Sequence, residues 1–434
     1  MADACEPLRT RLRALEIELA DSKQVPGEQH APKPPAQLNA LIRQIAATRA
    51  ELQACVESRS PRRFTVTGES FRGAYALDAV IRRWMFDHDI RALSVAIAHD
   101  GAVLGKRGYT WALPDYPITQ PDTLFRVASV SKLFTCAAVD RLVATGALSF
   151  DTRAFPYLGV AAPPLLHVDP DMDNITVRHL AMRQSGLRDD VEGDMRAIAK
   201  LFSMTTRPTL SQVLEYIYMT PLVARPGTGD NYSNPAFTVL GAIVEKASGM
   251  SLIEYLRREL LAPLGISDVH VGGTLASARR ANEVATYDAA SVSPSHLDFS
   301  DGATANDAHG GRFALESDVA AGGLIMSTAT IARFLRTHAV WNIGAREVGG
   351  RYGKLAGSGA IAVSREDPFD FAVAFNRDVE YAAYDALTME LQKIIDDRLV
   401  LTRATLDTVA TKFVDLIEEL VDAVREVVSR RIVP

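Results

Sequence analysis

Apolar residues near both ends of the chain recur with helical spacing, whereas strand-like runs frame its interior. Leu8, Leu12, Leu15 and Leu19 are spaced 4-3-4, and Leu38, Leu41, Ile45, Thr48, Leu52 and Cys55 are spaced 3-4-3-4-3. Leu406, Val409, Phe413, Leu416, Leu420, Ala423 and Val427 repeat the rhythm at the far end. Such spacing gathers one apolar seam along a helix. It predicts long amphipathic helices in an N-terminal extension, 1–60, and in a C-terminal segment, 400–434. Four prolines between Val25 and Gln37 break the first region into two helices. The seams bury themselves either on the main domain or on one another, as a bundle or a self-association element.

The body, 68–398, begins and ends in strands. Leu93–His99 is a mostly apolar run, Asp100-Gly101 marks a hairpin turn, and Ala102–Tyr109 returns. Ser358–Ser364 and Phe369–Asn376 are two further strand-like runs around Pro368. Between them the pattern predicts helices at 129–145, 176–183, 209–218, 235–248 and 251–262. Asp268–Ala320, rich in Ser, Gly, Ala and Asp, reads as long loops of the kind that shape a substrate site. The expected class is α+β: an antiparallel sheet closed by both ends of the body, flanked by helices, with a helical insertion and extra terminal helices.

Composition narrows the partners. With 434 residues, 47% of them hydrophobic, the chain can bury a large core. A net charge of −6 offers no basic footprint for nucleic acid. Met1–Thr10 lacks the apolar stretch of a secretory leader, and no run approaches the roughly 20 apolar residues of a membrane span. The expected location is therefore cytoplasmic. Cys5, Cys55 and Cys136 are too few and too scattered to suggest a disulfide framework or a zinc site. The histidines show no ligand spacing, so no metal is expected, and without a GxxxxGK loop no nucleotide is expected either.

Candidate chemistry sits at the head of the 129–145 helix. Lys132 is the only one of nine lysines with a serine, Ser129, three positions before it. Residues i and i+3 share a helix face, so the amine can reach the hydroxyl and assist its deprotonation. The plain alternative is a serine that caps the helix. A second candidate, Tyr232-Ser233-Asn234, lies at a loop-to-helix junction, where alternate residues can face one cleft. A phenol there can relay a proton, and an amide can hold the lysine amine and a substrate carbonyl. Here too the alternative is a turn residue capping a helix.

Taken together, these segments resemble the serine β-lactamase and penicillin-binding-protein superfamily. They are Leu124–Lys132, Ile175–Leu180 running to Ser185-Gly186-Leu187, Pro226-Gly227 through Asn234, Val239-Leu240-Gly241 through Ser248-Gly249, and Ala321–Leu324 through Ser327-Thr328. The resemblance covers roughly 75–397. It points to the class C-like branch, which includes β-lactamase-like carboxylesterases and D-alanyl-D-alanine carboxypeptidases. It implies Ser129 as the acylated nucleophile, Lys132 as its proton partner, Tyr232 as a second acid/base and Asn234 as the polar residue of the second motif. The family's third motif, Lys/His-x-Gly, falls on Arg351-Tyr352-Gly353. Arginine is bulkier than lysine and always protonated, which departs from the usual carboxylate recognition. Arg351 is favoured for the cationic role, with Lys354 as its rival. The same match implies an oxyanion hole from the backbone amides of Ser129 and Lys354.

The expected function is a cytoplasmic serine hydrolase without cofactor, acting through an acyl-enzyme on a small or medium acyl ester. The alternatives are an amidase or D-amino-acid peptidase, a β-lactamase or an acyltransferase with the same site, or a non-catalytic scaffold organised by the terminal helices. A homo-oligomer through those helices is a further possibility. His179 reads as a core or capping residue and Cys136 as a small core residue.

Overall fold

A computed structural model describes residues 5–22, 33–161, 168–189, 195–338, 342–344 and 346–400. Its centre is a six-stranded antiparallel sheet. The strands are β1 (Arg63–Thr67), β2 (Ala92–His99), β3 (Ala102–Ala112), β4 (Gly349–Leu355), β5 (Ser358–Ser364) and β6 (Phe369–Phe375). They lie in the order β1-β3-β2-β6-β5-β4. Both ends of the body thus meet at the β2–β6 pairing, where Ala96 faces Ala372. Asp100 and Gly101 turn the β2–β3 hairpin with φ of 48° and 76°, the paired positive values a tight hairpin requires.

The strands run apolar because the sheet is covered on both faces. Leu93, Val95 and Ile97 of β2 join Ile361, Val363, Phe371, Val373 and Phe375 in one core. Ala96, Ala98, Ala360, Ala362 and Ala372 belong to another. This is the two-residue alternation of a pleated strand, with bulky residues on one face and alanine on the other. Helices α3 (Ala74–Asp87) and α7 (Tyr381–Arg398) supply Leu77, Ile81, Trp84, Leu387 and Leu391 to the bulky face. The alanine face faces a helical region that includes α4 (Ser131–Ala144), α5 (Asn234–Ser248) and α6 (Thr328–Leu335). Small side chains let α6 approach closely, and Ser94 Oγ lies 2.9 Å from Thr328 Oγ1 across that contact.

The expected helices form near their predicted bounds, with one adjustment: 251–262 is a short α-turn, Leu252–Tyr255, followed by a π-helical stretch, Leu256–Leu261. The loop-like region 268–320 contains only short strands, among them Val292–Pro294 and Thr304–Asn306, and short 3₁₀ turns at Ala276–Ala278 and Asp307–His309.

The N-terminal seam forms two helices, α1 (Glu6–Asp21) and α2 (Pro35–Arg59). Their links run from Cys5–Cys55 through Arg11–Glu51 and Glu16–Arg49 to Glu18–Lys33. One number falls as the other rises, so the pair is an antiparallel hairpin. Leu41, Ile45, Thr48 and Leu52 of α2 are buried, as their spacing predicts. The cysteines correct the sequence reading: Cys5 and Cys55 form a disulfide with their Cα atoms 6.0 Å apart. Fifty positions of separation conceal a pairing that only the hairpin creates. The segment 406–427 lies outside the described residues. Among the described residues no single helix is long and apolar enough to cross a membrane.

Candidate active site

Ser129 stands on a short 3₁₀ turn, Ala128–Val130, that runs directly into α4. The turn is reached through a two-residue strand, Phe125-Arg126, paired with Ile325 and Met326. Ala128 has a φ of 48°, a left-handed value that a residue with a Cβ adopts only under constraint. The constraint is visible. Ser358 Oγ donates to the Arg126 carbonyl (2.5 Å), and β4 presses on the turn at Gly353. A Cβ at Gly353 would stand 2.1 Å from the Val127 carbonyl oxygen and 3.1 Å from the Ser129 nitrogen. Only glycine allows the strand this close.

Arg126 anchors the turn from beneath. Its side chain is fully buried and donates to the carbonyls of Ala308 (2.5 Å), Gly273 (2.8 Å) and Thr274 (3.0 Å). The guanidinium also lies 3.9 Å from the centre of the Tyr287 ring. One side chain thus ties the loops of 268–320 to the strand that presents Ser129. Sequence reasoning missed it, because nothing local marks this arginine as buried.

Lys132 follows one turn later, fully buried. Its Nζ donates to Asn234 Oδ1 (2.5 Å), to the Ala321 carbonyl (2.6 Å) and to Ser129 Oγ (3.2 Å). Tyr232 OH lies 2.7 Å from Ser129 Oγ and donates to Asn234 Oδ1 at 3.2 Å. The capping alternative belongs to a different residue. Ser233 is the N-cap of α5, its side chain accepting from the Ala236 amide. Of the residues on either side of it, Tyr232 reaches Ser129 and Asn234 lines the cleft. Asn234 is held in turn by Asp189, whose Oδ1 accepts the Asn234 backbone N–H at 2.7 Å.

The third-motif candidates separate. Arg351 pairs with Glu347 at 2.9 Å and donates to the Gly350 carbonyl. Lys354 lines the cleft beside Asn234, its Nζ 5.3 Å from the centre of the Tyr381 ring. The cleft encloses about 660 Å³ and is rich in carboxylates, among them Asp189, Asp288, Asp307 and Asp318. Burial raises the Asp318 carboxyl to about 6, with the charge of Asp189 adding to the shift and that of Lys132 opposing it. Asp189 and Asp318 were not singled out from the sequence, where an isolated aspartate in a loop carries no signal.

Two other candidates are structural. His179 forms a reciprocal capping box with Thr176, and Cys136 is wholly buried, which pushes its thiol up.

A family model described as "Beta-lactamase" matches residues 77–386. The chain belongs to this family. Esterase EstB of Burkholderia gladioli is 32% identical over 220 residues, covering 49% of this chain and 54% of the esterase. A D-aminopeptidase of Gluconobacter oxydans is 30% identical over 177 residues, 40% of this chain and 31% of the peptidase. The chain therefore spans about half the length, or less, of these curated relatives. Among solved structures, the octameric penicillin-binding protein homologue from Pyrococcus abyssi superposes with a TM-score of 0.54 at 20% identity, covering 74% of this chain and 77% of the homologue. At that identity the likeness concerns the fold.

Proposed function

We propose that this chain is a serine hydrolase that acts through an acyl-enzyme on Ser129, with carboxylic esters of small or medium acyl groups as substrates. The observation that carries the reading is the hydrogen-bonded unit of Ser129, Lys132, Tyr232 and Asn234. Ser129 Oγ attacks the ester carbonyl, and its proton passes into the Lys132–Tyr232 pair. The C–O bond to the alcohol breaks, and the alcohol leaves with that proton. Water then adds to the acyl-serine by the same path in reverse, releasing the acid and restoring the serine hydroxyl. The backbone amides of Ser129 and Lys354 serve as oxyanion donors in this scheme. The close contact at Gly353 brings β4 beside the Ser129 nitrogen and so supports that pairing. The cationic role falls to Lys354, since Arg351 is engaged by Glu347.

The ester reading draws on the likeness to EstB, and an amide reading draws on the D-aminopeptidase. A panel of p-nitrophenyl esters, nitrocefin and D-amino-acid amides, run beside fluorophosphonate labelling of wild type and Ser129→Ala, tests both. Ester turnover with the label on Ser129 supports the proposal. Full ester hydrolysis by the alanine variant sinks it. Absence of labelling in a folded wild type favours the scaffold.

Localisation belongs to the same proposal. The cytoplasmic placement expected from the sequence and the Cys5–Cys55 bond pull in opposite directions, because reducing compartments keep thiols apart. Alkylation of the protein in its own cells decides: modified Cys5 and Cys55 indicate a reducing compartment, and a protected pair an oxidising one. We further place self-association on the terminal helices, outside the catalytic body.

A further inference from the structure

A second cavity, of about 220 Å³, adjoins the cleft, and Met195 and Ser317 line both spaces. Its walls continue elements of the candidate site. Asn234 begins one face of α5, and that face runs on through Thr238, Gly241, Ala242 and Glu245, all of them in the cavity wall. The facing wall is Ser317, Val319 and Ala320. It is fastened to the helix that follows the nucleophile, since Thr135 donates to the Ala320 carbonyl (2.8 Å) and Lys132 to the Ala321 carbonyl (2.6 Å). The two walls meet where Gly241 faces Ala320: a Cβ on the glycine would stand 2.6 Å from the Ala320 Cβ.

The lining is mainly carbon. Met195, Val213, Ala242, Leu252 and Ala320 are buried and turn apolar groups into the space. Two acids border it, and both are directed to protein donors. Glu316 accepts from the amide and the hydroxyl of Thr274, and Glu245 accepts from the Leu252 amide at 2.9 Å. A water held in a cavity needs several polar partners, whereas an alkyl chain needs none. At ~30 Å³ for each water-sized group, the space takes roughly seven methylenes.

An ester has two ends to place. The alcohol leaves while the acyl-enzyme persists, and it leaves past Tyr232, whose hydroxyl is 2.7 Å from Ser129 Oγ and which is 37% exposed. The acyl chain stays attached through both chemical steps, so an inner recess serves it in both. The recess therefore suits the acyl end. Ala242 lies about 12 Å along α5 from Asn234, at the usual rise per residue, so a short acyl group does not reach it.

We propose that this cavity is an acyl-chain pocket for linear alkanoyl groups of roughly six to eight carbons, with Met195 at its entrance and Ala242 setting its depth. The proposal rests on the reading of Ser129 as the nucleophile, and it names the acyl group that reading leaves open.

The test separates binding from turnover. Calorimetry on the full-length Ser129→Ala chain compares two unreactive ketones, 2-pentanone and 2-nonanone, which carry the alkyl chains of a butyryl and an octanoyl group. Each buried methylene tightens binding about threefold to fourfold, so 2-nonanone should bind about tenfold or more tighter than 2-pentanone. The gain should disappear in Ser129→Ala/Ala242→Phe, which fills the pocket. It should shrink in Ser129→Ala/Ala242→Val, a smaller intrusion that decides the matter if the phenylalanine variant does not fold. In the chain with Ser129 intact, the ratio of kcat/KM for p-nitrophenyl octanoate to butyrate should fall about tenfold in Ala242→Phe, while the ratio for octyl to butyl acetate should stay as it was. Equal binding of the two ketones overturns the pocket. So does an Ala242→Phe variant that slows both acyl esters alike, or one that changes only the alcohol series, since the recess would then serve the leaving group. Chain-length-dependent binding that Ala242→Phe removes, without ester turnover in the wild type, upholds the pocket and removes the hydrolase reading. Turnover with an acyl ratio insensitive to both Ala242 variants does the reverse.

Discussion

Tyr232 OH and Ser129 Oγ stand 2.7 Å apart, although 103 positions separate them in the chain. Lys132 Nζ touches the same serine oxygen at 3.2 Å, and Asn234 bonds both partners. Four groups that share protons in this way should fail together. Ser129→Ala, Lys132→Met and Tyr232→Phe are each expected to lower kcat by several orders of magnitude. The double variants should be little worse than the singles, as for residues that act as a unit. Lys132→Arg should not rescue, because guanidinium does not give up its proton and its fork does not fit a site shaped for one nitrogen. Near-normal kcat for Lys132→Arg would remove the lysine from the proton path.

The contact at Gly353 makes a second prediction. Its added Cβ would meet backbone at 2.1 Å, and backbone cannot rotate away as a side chain can. Gly353→Ala must therefore push β4 off the Val127–Ser129 turn. The stability cost should be about 1–3 kcal/mol, as for other overpacked sites. The effect on kcat should exceed what that cost explains, since the shift displaces the amides beside Ser129. Urea melts and kcat/KM on one preparation check this. A variant with native activity would place the oxyanion donors elsewhere.

Much of this site was legible in the sequence, and the rest was not for identifiable reasons. The 3.6-residue period carried α4 and α5, and the two-residue period with Asp100-Gly101 carried the β2–β3 hairpin. Ser129 and Lys132 are neighbours on one helical segment, so local spacing is enough to pair them. Tyr232 and Asn234 stood out because a turn precedes a helix there. β4 was legible only through its motif, since three of its seven residues are glycine and it has no apolar alternation. The helix at Tyr381–Arg398 did carry a signal, with Tyr384, Leu387, Leu391 and Ile394 spaced 3-4-3. Arg126, Asp189 and Asp318 acquire their roles from loops that meet only in three dimensions, and the disulfide from a hairpin.

The pairing of Arg351 with Glu347 at 2.9 Å bears on the proposed substrate choice. An arginine already neutralised by a neighbour offers little to a β-lactam carboxylate, and Lys354, the other cation of that segment, stands in a cleft rich in aspartate. Short-chain p-nitrophenyl esters should be hydrolysed measurably, and nitrocefin little or not at all. A nitrocefin rate equal to the ester rate reverses this ranking.

Asp318 predicts an unusual pH dependence of stability. Its carboxyl is raised to about 6 in the fold, from an ordinary 3.8, chiefly by burial. The folded state therefore holds a proton that the unfolded chain has lost between those two values. Across that window stability falls as pH rises, and above it the full penalty of the buried charge remains. Asp318→Asn removes the penalty. Its melting temperature should exceed the wild type's at pH 7–8, and the advantage should shrink toward pH 4. An advantage that grows on acidification contradicts the assignment.

The N-terminal hairpin provides the last prediction. Its inner seam is filled, with Leu41, Ile45 and Leu52 buried, while no residue of α1 is fully buried. The hairpin meets the body at Glu57, which accepts two bonds from Arg82 of α3, one of them from Nε (3.0 Å), across the sheet from Ser129. Helices with an incompletely covered apolar stripe gain by covering it, and a second copy offers an identical stripe to pack against. Deleting residues 1–60 should then lower the oligomeric state or the thermal stability while a fluorophosphonate still labels Ser129. Cys55→Ser is the milder form: opening the loop should cost roughly 2–4 kcal/mol of stability in the chain-entropy account and leave labelling intact. Light scattering, thermal melts and labelling on the same samples give the answer. A truncated chain with the parent's subunit number and melting temperature refutes the association role. One that folds but resists the label would mean that the hairpin helps to build the site from the far side of the sheet.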